Sequence, residues 1–368
     1  MEEKNAKAIE RINSEIEKID KKKNKIFFVV IDTKGNPSGS LEYIYKLAKI
    51  AHDSGYDVTM LHTEDEFVGV GDWLGEDYAS LPHANISKDN VMVSPSDVMF
   101  IPEIFSQVMN QTKKLPCKRI AILQNYDYIL EQMPFAAQWG DFGIMECITN
   151  EKYNEDLLHD IFPYVKTNVI PPYIDKIFGT TSEPKKMIVN VVAKDQSDIN
   201  RIVKPFYWKY PAFKWVSFRD LRGFPKSTFA SALREGAITI WADDDASFGY
   251  SALEAIKSGS ILIAKLPKEE LSWAYEDGKD GKALRNCCIW FDDFNDLHKK
   301  IASVVRSWTL DKVPSILEKE GKKVLNLYSE EKTKDTFSTY LNGVLSNRKK
   351  EMEDLIVQVK NNDTNKKA

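Results

Sequence analysis

The chain is short of cysteine and of long apolar runs and has no net positive charge, and each lack excludes a class of protein. Only four cysteines occur in 368 residues: Cys117, Cys147, Cys287 and Cys288. Their spacing fits neither a Cys-x-x-Cys redox pair nor a zinc ligand set, so reduced, buried thiols are expected. No stretch reaches the roughly 18 apolar residues of a membrane span. The opening MEEKNAKAIERINSEIEKIDKKKNK is charged throughout and lacks the apolar core of a secretory signal, which predicts a cytoplasmic protein. Lysine and arginine number 51 against 55 aspartates and glutamates, a net charge of −4 without the basic footprint of a nucleic-acid binder.

What is present describes a globular α/β protein. Hydrophobic residues make up 43% and aromatics 11%, enough to build cores, and the length suits two domains of roughly 150 residues facing across a cleft. Ile9, Ile12, Ile16 and Ile19 recur at helical spacing in the first twenty residues, one apolar stripe on a charged helix. IFFVVID (26–32) then reads as a strand covered on both faces. The turn-rich TKGNPSGS (33–40) opens onto a helix over 41–55, and YDVTMLHTE (56–64) is the next strand. DVMFIPE (97–103), KRIAILQN (118–125) and FGIMECI (142–148) continue the alternation. VIPPYID (169–175) reads as an extended crossing, because Pro171 and Pro172 forbid helix.

The pattern then restarts, with strands at 185–194, 213–220, 237–244, 260–267 and 287–293 and helices between them. The expected organisation is an amino-terminal helix (1–24), a first Rossmann-like domain (25–168), a second (169–312), further helices (313–346) and a charged tail, helical or disordered (347–368). The aromatic run around Phe206, Tyr207, Trp208, Tyr210 and Trp215 is read as core packing rather than a stacking platform.

One stretch points to chemistry. DDDASFGYSALEAIKSG (243–259) ends a buried strand in acids, turns at Gly249 and opens a helix near Tyr250 that carries Glu254. Asp243, Asp244 and Asp245 could not be buried unpaired without a large desolvation cost, so they belong at a sheet edge. The helix start offers free N–H groups and a positive partial charge to a phosphate, and Glu254 one turn on can accept from a polyol such as ribose. Gly35 and Gly39 in the first loop would let backbone approach a sugar closely.

ASFGYSALEAIKSGSILIAKLP resembles the donor-site signature of retaining glycosyltransferases of the GT-B fold (glycosyl transferases group 1, family 4-like). TKGNPSGS is similar to the family's first glycine loop, and NVIPPYID to its interdomain segment. The resemblance implies two Rossmann-like parallel-sheet domains, the first for a hydroxyl acceptor and the second for a nucleotide-diphosphate sugar. That donor would be a co-substrate, with no bound metal or other cofactor. By position, Glu254 takes the ribose role, and Ser247, Phe248, Gly249 and Tyr250 line the donor beside Gly39. The family's sugar-facing Glu is replaced by Ala246, leaving Asp245 as its nearest heir. Lys194, and after it Arg201, would supply the cation for the departing diphosphate, and His83 is the first-domain histidine kept near the sugar. The expectation is a hexosyl- or pentosyltransferase, with a saccharide acceptor ahead of a modified DNA base. A sugar-nucleotide epimerase of the same fold and a catalytically silent nucleotide-sugar binder are the alternatives.

Overall fold

The computed structural model describes residues 2–243, 247–278 and 281–364. Helix α1 (Glu2–Asp20) leads into a first sheet built from β1 (Lys25–Val29), α2 (Gly39–Asp53), β2 (Asp57–His62), the short α3 (Glu76–Ala79) and β3 (His83–Asn85). It continues through β4 (Val98–Pro102), α4 (Ser106–Gln111), β5 (Lys118–Leu123), α5 (Asp127–Gln132), β6 (Glu146–Thr149), α6 (Lys152–Ile161) and β7 (Lys166–Val169). The strands lie in the order β3-β2-β1-β4-β5-β6-β7, and every pairing is parallel. β1 shows why its sequence is apolar without alternation. Ile26 and Phe28 enter one core and Phe27 and Val29 the other, so both faces are covered.

After the crossing segment the second sheet is built from β8 (Lys186–Val192), α7 (Gln196–Lys209), β9 (Ser217–Asp220), α8 (Lys226–Glu235), β10 (Gly236–Trp241), α9 (Tyr250–Lys257) and β11 (Ile261–Lys265). A hairpin of β12 (Tyr275–Gly278) and β13 (Gly281–Leu284) precedes β14 (Ile289–Phe291) and α10 (Phe294–Thr309). This sheet is also parallel, in the order β14-β11-β10-β8-β9. Both orders reverse direction next to the first strand, between β1 and β4 and between β8 and β10, and the crevice at such a point is where open α/β sheets bind ligands.

Helices α11 (Ser315–Leu325) and α12 (Glu330–Thr364) end the described chain. Residues 347–364 of the stretch read as a charged tail are the last part of α12, which returns to the first domain. Phe337, Leu341 and Val344 enter that domain's core, and Lys349 pairs with Asp20 of α1 at 2.7 Å. The crossing segment is clamped from both sides: Tyr43 Oη of α2 donates to Ile170 O (2.8 Å), and Thr333 Oγ1 of α12 to Pro171 O (2.8 Å). β3, β7 and the β12–β13 hairpin had no signal in the sequence, being strands of three or four residues without a buried apolar run. The strand expected from Phe142 begins only at Glu146, because Trp139–Phe142 forms a tight helical turn closed by left-handed Gly143. The four cysteines are free and buried, as expected. Phe206 is the buried centre of the expected aromatic cluster, but Trp208 and Trp215 are exposed: they fall on the outer side of α7 and of the turn behind it.

Candidate active site in the interdomain cleft

The two sheets present their carboxyl ends to a cleft of about 550 Å³. From the first domain it receives the loop after β1 and the start of α2 (37–42), Trp73, Gln124 and Asn125 after β5, and Asn150 after β6. From the second it receives Lys194 after β8, Arg222 and Phe224 after β9, Asp243 after β10, and the turn and helix from Ser247 to Glu254.

The start of α9 is shaped by Gly249. Its φ of +81° is left-handed, and an added Cβ would lie 3.0 Å from Trp241 and 3.3 Å from Trp273, so backbone conformation and space both require glycine. Trp273 Nε1 donates to Phe248 O at 2.6 Å and fixes the turn. Gly39 plays a related part from the other domain. It opens α2 behind the Ser38 cap, and its Cα packs so near the Tyr250 ring that a Cβ would come within 3.0 Å. The two helix starts thus meet across the cleft, and Gly39 serves their close approach.

Glu254 is 6% exposed, and among the described residues its carboxyl has no hydrogen-bond or ion-pair partner, yet it lines the cleft. Burial, followed by the nearby charge of Glu42, raises its pKa to about 8. Beside it lies a buried ionic cluster that sequence reading missed. Lys46 Nζ sits 2.6 Å from Glu42 and 3.2 Å from Asp175, and Lys226 pairs with Glu42 at 2.6 Å and also with Asp175. Burial alone would lower the pKa of Lys46, but Glu42 and then Asp175 hold it above lysine's ordinary range. Burial also opposes the charge on Asp175, which Lys46 and Lys226 keep below the usual carboxylate range. Glu42 and Lys46 stand four apart on α2, a spacing normally seen on exposed faces, and Lys226 follows Pro225 at a helix start. Only the meeting of α2, the crossing segment and α8 buries them together.

Lys194 reaches the cleft 3.0 Å from Asp243, with 55% of its side chain exposed. Ser247, Phe248, Gly249, Tyr250, Glu254 and Gly39 join it there. Asp245 and Ala246 lie outside the described residues. Two candidates are not brought to the cleft lining. Arg201, one turn into α7, is 65% exposed; it stands over the Phe294 ring and lies 3.8 Å from Asp198. His83 sits on the edge strand β3, its Nε2 3.3 Å from Tyr45 Oη and its ring against Phe67, and burial together with His62 lowers its pKa to about 4. Arg222, which the sequence reading passed over, lies at the cleft bound by Asp220 (2.7 Å) and Gln196 (2.6 Å).

The arrangement of two such sheets around a cleft is shared with solved structures. Sucrose-phosphate synthase from Thermosynechococcus elongatus superposes with a TM-score of 0.61 at 11% identity, over 88% of this chain and 99% of that one. A glycosyltransferase from Rickettsia africae gives 0.63 at 12% identity, over 88% and 98%. The fold is GT-B. The pneumococcal O-GlcNAc transferase GtfA, solved with UDP and GlcNAc, matches this GT-B chain with a TM-score of 0.60 at 9% identity, over 88% and 99%. In sequence, the curated α-1,6-glucosyltransferase of Actinobacillus pleuropneumoniae serotype 7 (strain AP76) is 22% identical over 196 residues, 50% of this chain. The match spans 57% of that relative's length. No protein-family profile matches the chain. Among the described residues no helix is long and apolar enough to cross a membrane.

Proposed function

We propose that this GT-B chain is a glycosyltransferase that takes a sugar from a nucleotide-diphosphate donor, held by the second domain, and transfers it to a hydroxyl acceptor on the first. The observation that carries the reading is Glu254: a buried, unpartnered carboxyl one turn into a helix whose amino end opens on the cleft. A ribose donating two hydroxyls to that carboxyl places the diphosphate at the helix start, where N–H groups lack partners within the helix. As the bond to the donor phosphate breaks, charge grows on the leaving oxygen, and Lys194 and those N–H groups stabilise it. Asp243 holds the Lys194 ammonium at 3.0 Å in the structure, so the diphosphate exchanges one anion for another there. The relatives' names, a glucosyltransferase and an O-GlcNAc transferase among them, support a hexose donor, and retention of configuration is part of the proposal.

Thermal shift with a panel of nucleotide sugars tests the reading, because a ligand bound only to the native state raises its melting temperature. One donor is expected to stabilise the wild type and not Glu254→Ala. If no nucleotide or nucleotide sugar moves the wild type, the donor site is not here. Transfer or slow hydrolysis of the stabilising donor separates an enzyme from a silent binder.

A further inference from the structure

The outer face of the second domain concentrates positive charge. Between Ile199 and Arg219, along α7 and the turn that leads into β9, the chain carries Arg201, Lys204, Lys209, Lys214 and Arg219 and no aspartate or glutamate, although its net charge is −4. Arg201 and Arg219 lie near a carboxylate, at Asp198 and Glu235. Among the described residues Lys204, Lys209 and Lys214 have no carboxylate partner; Lys209 reaches only Asn295 and His298. Arg306 of α10 adds a further cation beside them, over the Phe213 ring at 5.5 Å.

Two tryptophans stand in this charge, Trp208 76% exposed and Trp215 53%. Arg201, Lys204 and Trp208 follow one another at three and four along α7 and share a face, opposite the buried Ile202 and Phe206. Tyr207, next to Trp208, donates its hydroxyl to Val216 O at 2.6 Å and so draws the turn with Lys214 and Trp215 alongside the helix. The Phe213 ring, 6.4 Å from Trp215, stacks on Phe206 and anchors that turn in the core. From here β9 runs toward the cleft, where Arg222 follows its end, so the surface lies at the other end of the sheet.

The geometry points to this face as a docking surface for an anionic lipid bilayer, with Trp208 and Trp215 at headgroup level and the lysines against the lipid phosphates. The inference is independent of the donor reading. Exposed tryptophan beside lysine is the composition of a membrane–water interface: the ring is apolar with one polar N–H, and the lysine stem lies on apolar surface while its ammonium stays wet. Protein interfaces take up tryptophan but are depleted in lysine. Single-stranded nucleic acid is held in a charged groove, whereas these rings stand out from a helix and a turn. An anionic surface attracts clustered lysines within about a Debye length and repels the rest of a net acidic chain, which selects this face. Docked so, the protein keeps its cleft turned away from the lipid.

Co-sedimentation of the full chain with vesicles of phosphatidylcholine alone, or of phosphatidylcholine mixed with phosphatidylglycerol, tests this. Two double variants accompany the wild type, Trp208→Ala with Trp215→Ala and Lys204→Ala with Lys214→Ala. All four side chains are exposed, so the melting temperatures should stay near that of the wild type. The wild type is expected to pellet with the anionic vesicles and not the neutral ones, and less so as salt rises; each double variant should bind about fivefold more weakly or worse. A wild type that stays in the supernatant, or that pellets equally with neutral vesicles, would overturn the proposal without recourse to any variant. Variants that fold and bind like the wild type would overturn the placement. An oligo(dT) held more tightly than the anionic vesicles, and released by both variants, would give the face to nucleic acid instead. A wild-type dimer that binds no vesicle and that the variants split would give it to a second copy.

Discussion

At the scale of single residues, Glu254 and Gly249 carry different burdens. Glu254 has its pKa raised to about 8 because burial disfavours its charge, so at neutral pH much of it is protonated. Hydroxyls that donate to it favour the ionised form and lower that pKa. Donor binding near pH 7 should therefore release protons, and affinity should strengthen as pH rises toward 8. Titration calorimetry in buffers of different ionisation enthalpy measures the release, and Glu254→Gln should abolish it. Proton uptake on binding would contradict the placement. Gly249 combines a left-handed φ of +81° with a Cβ position 3.0 Å from Trp241. Gly249→Ala is expected to cost about 1–3 kcal/mol in urea unfolding, from backbone strain and crowding together. The glycine was legible in the sequence as a turn; the tryptophans that make it obligatory were not.

Among elements, α2, α8 and the crossing segment are joined by the cluster of Glu42, Lys46, Asp175 and Lys226. Such a cluster is held together by mutual pairing, and removing one member strands the others. Lys226→Met leaves Glu42 and Asp175 to share Lys46, at an expected loss of about 3–5 kcal/mol by chemical denaturation. Adding Glu42→Gln should recover part of that loss, since a single carboxylate then faces a single ammonium. If Lys226→Met is neutral, the cluster does not hold the domains. The backbone reinforces the same contact, as Lys226 N donates to Trp73 O at 3.1 Å across the cleft. Lys226 could be placed at a helix start from the proline before it, but nothing in GFPKSTF shows that its ammonium is buried against the other domain.

Over the whole molecule, three buried carboxyls have raised pKa values through burial: Glu103 and Glu151 to about 7 and Glu254 to about 8. Glu151 adds a contact between the domains, accepting from Ser272 Oγ at 2.5 Å. Between pH 6.5 and 8 the unfolded chain has these groups ionised, while the native state keeps part of their protons. The native state then binds more protons than the unfolded one, so stability falls as pH rises through this window. His83, with its pKa lowered to about 4, works the other way only at the lower end of this window, where the unfolded histidine still holds part of a proton, and the three carboxyls outweigh it. The melting temperature should drop from pH 6.5 to 8 and level off in the triple variant Glu103→Gln, Glu151→Gln, Glu254→Gln. A flat wild-type profile would mean that these carboxyls titrate normally.

The sequence by itself determined the local pattern: two runs of buried parallel strands, a proline-stiffened crossing and a glycine turn opening a helix that carries Glu254. These are legible because period, burial and turn chemistry are properties of neighbouring residues. Tertiary structure alone decided which distant residues share an environment. It placed Lys226 against Glu42, left Arg201 and His83 outside the cleft, and carried α12 back to the first domain. It also set Glu103 at the switch point of the first sheet, its carboxyl held by the backbone N–H groups of Gln124 and Asn125. Burial and pairing depend on elements far apart in the chain, and a pKa or an unpaired oxygen exists only once those elements have met.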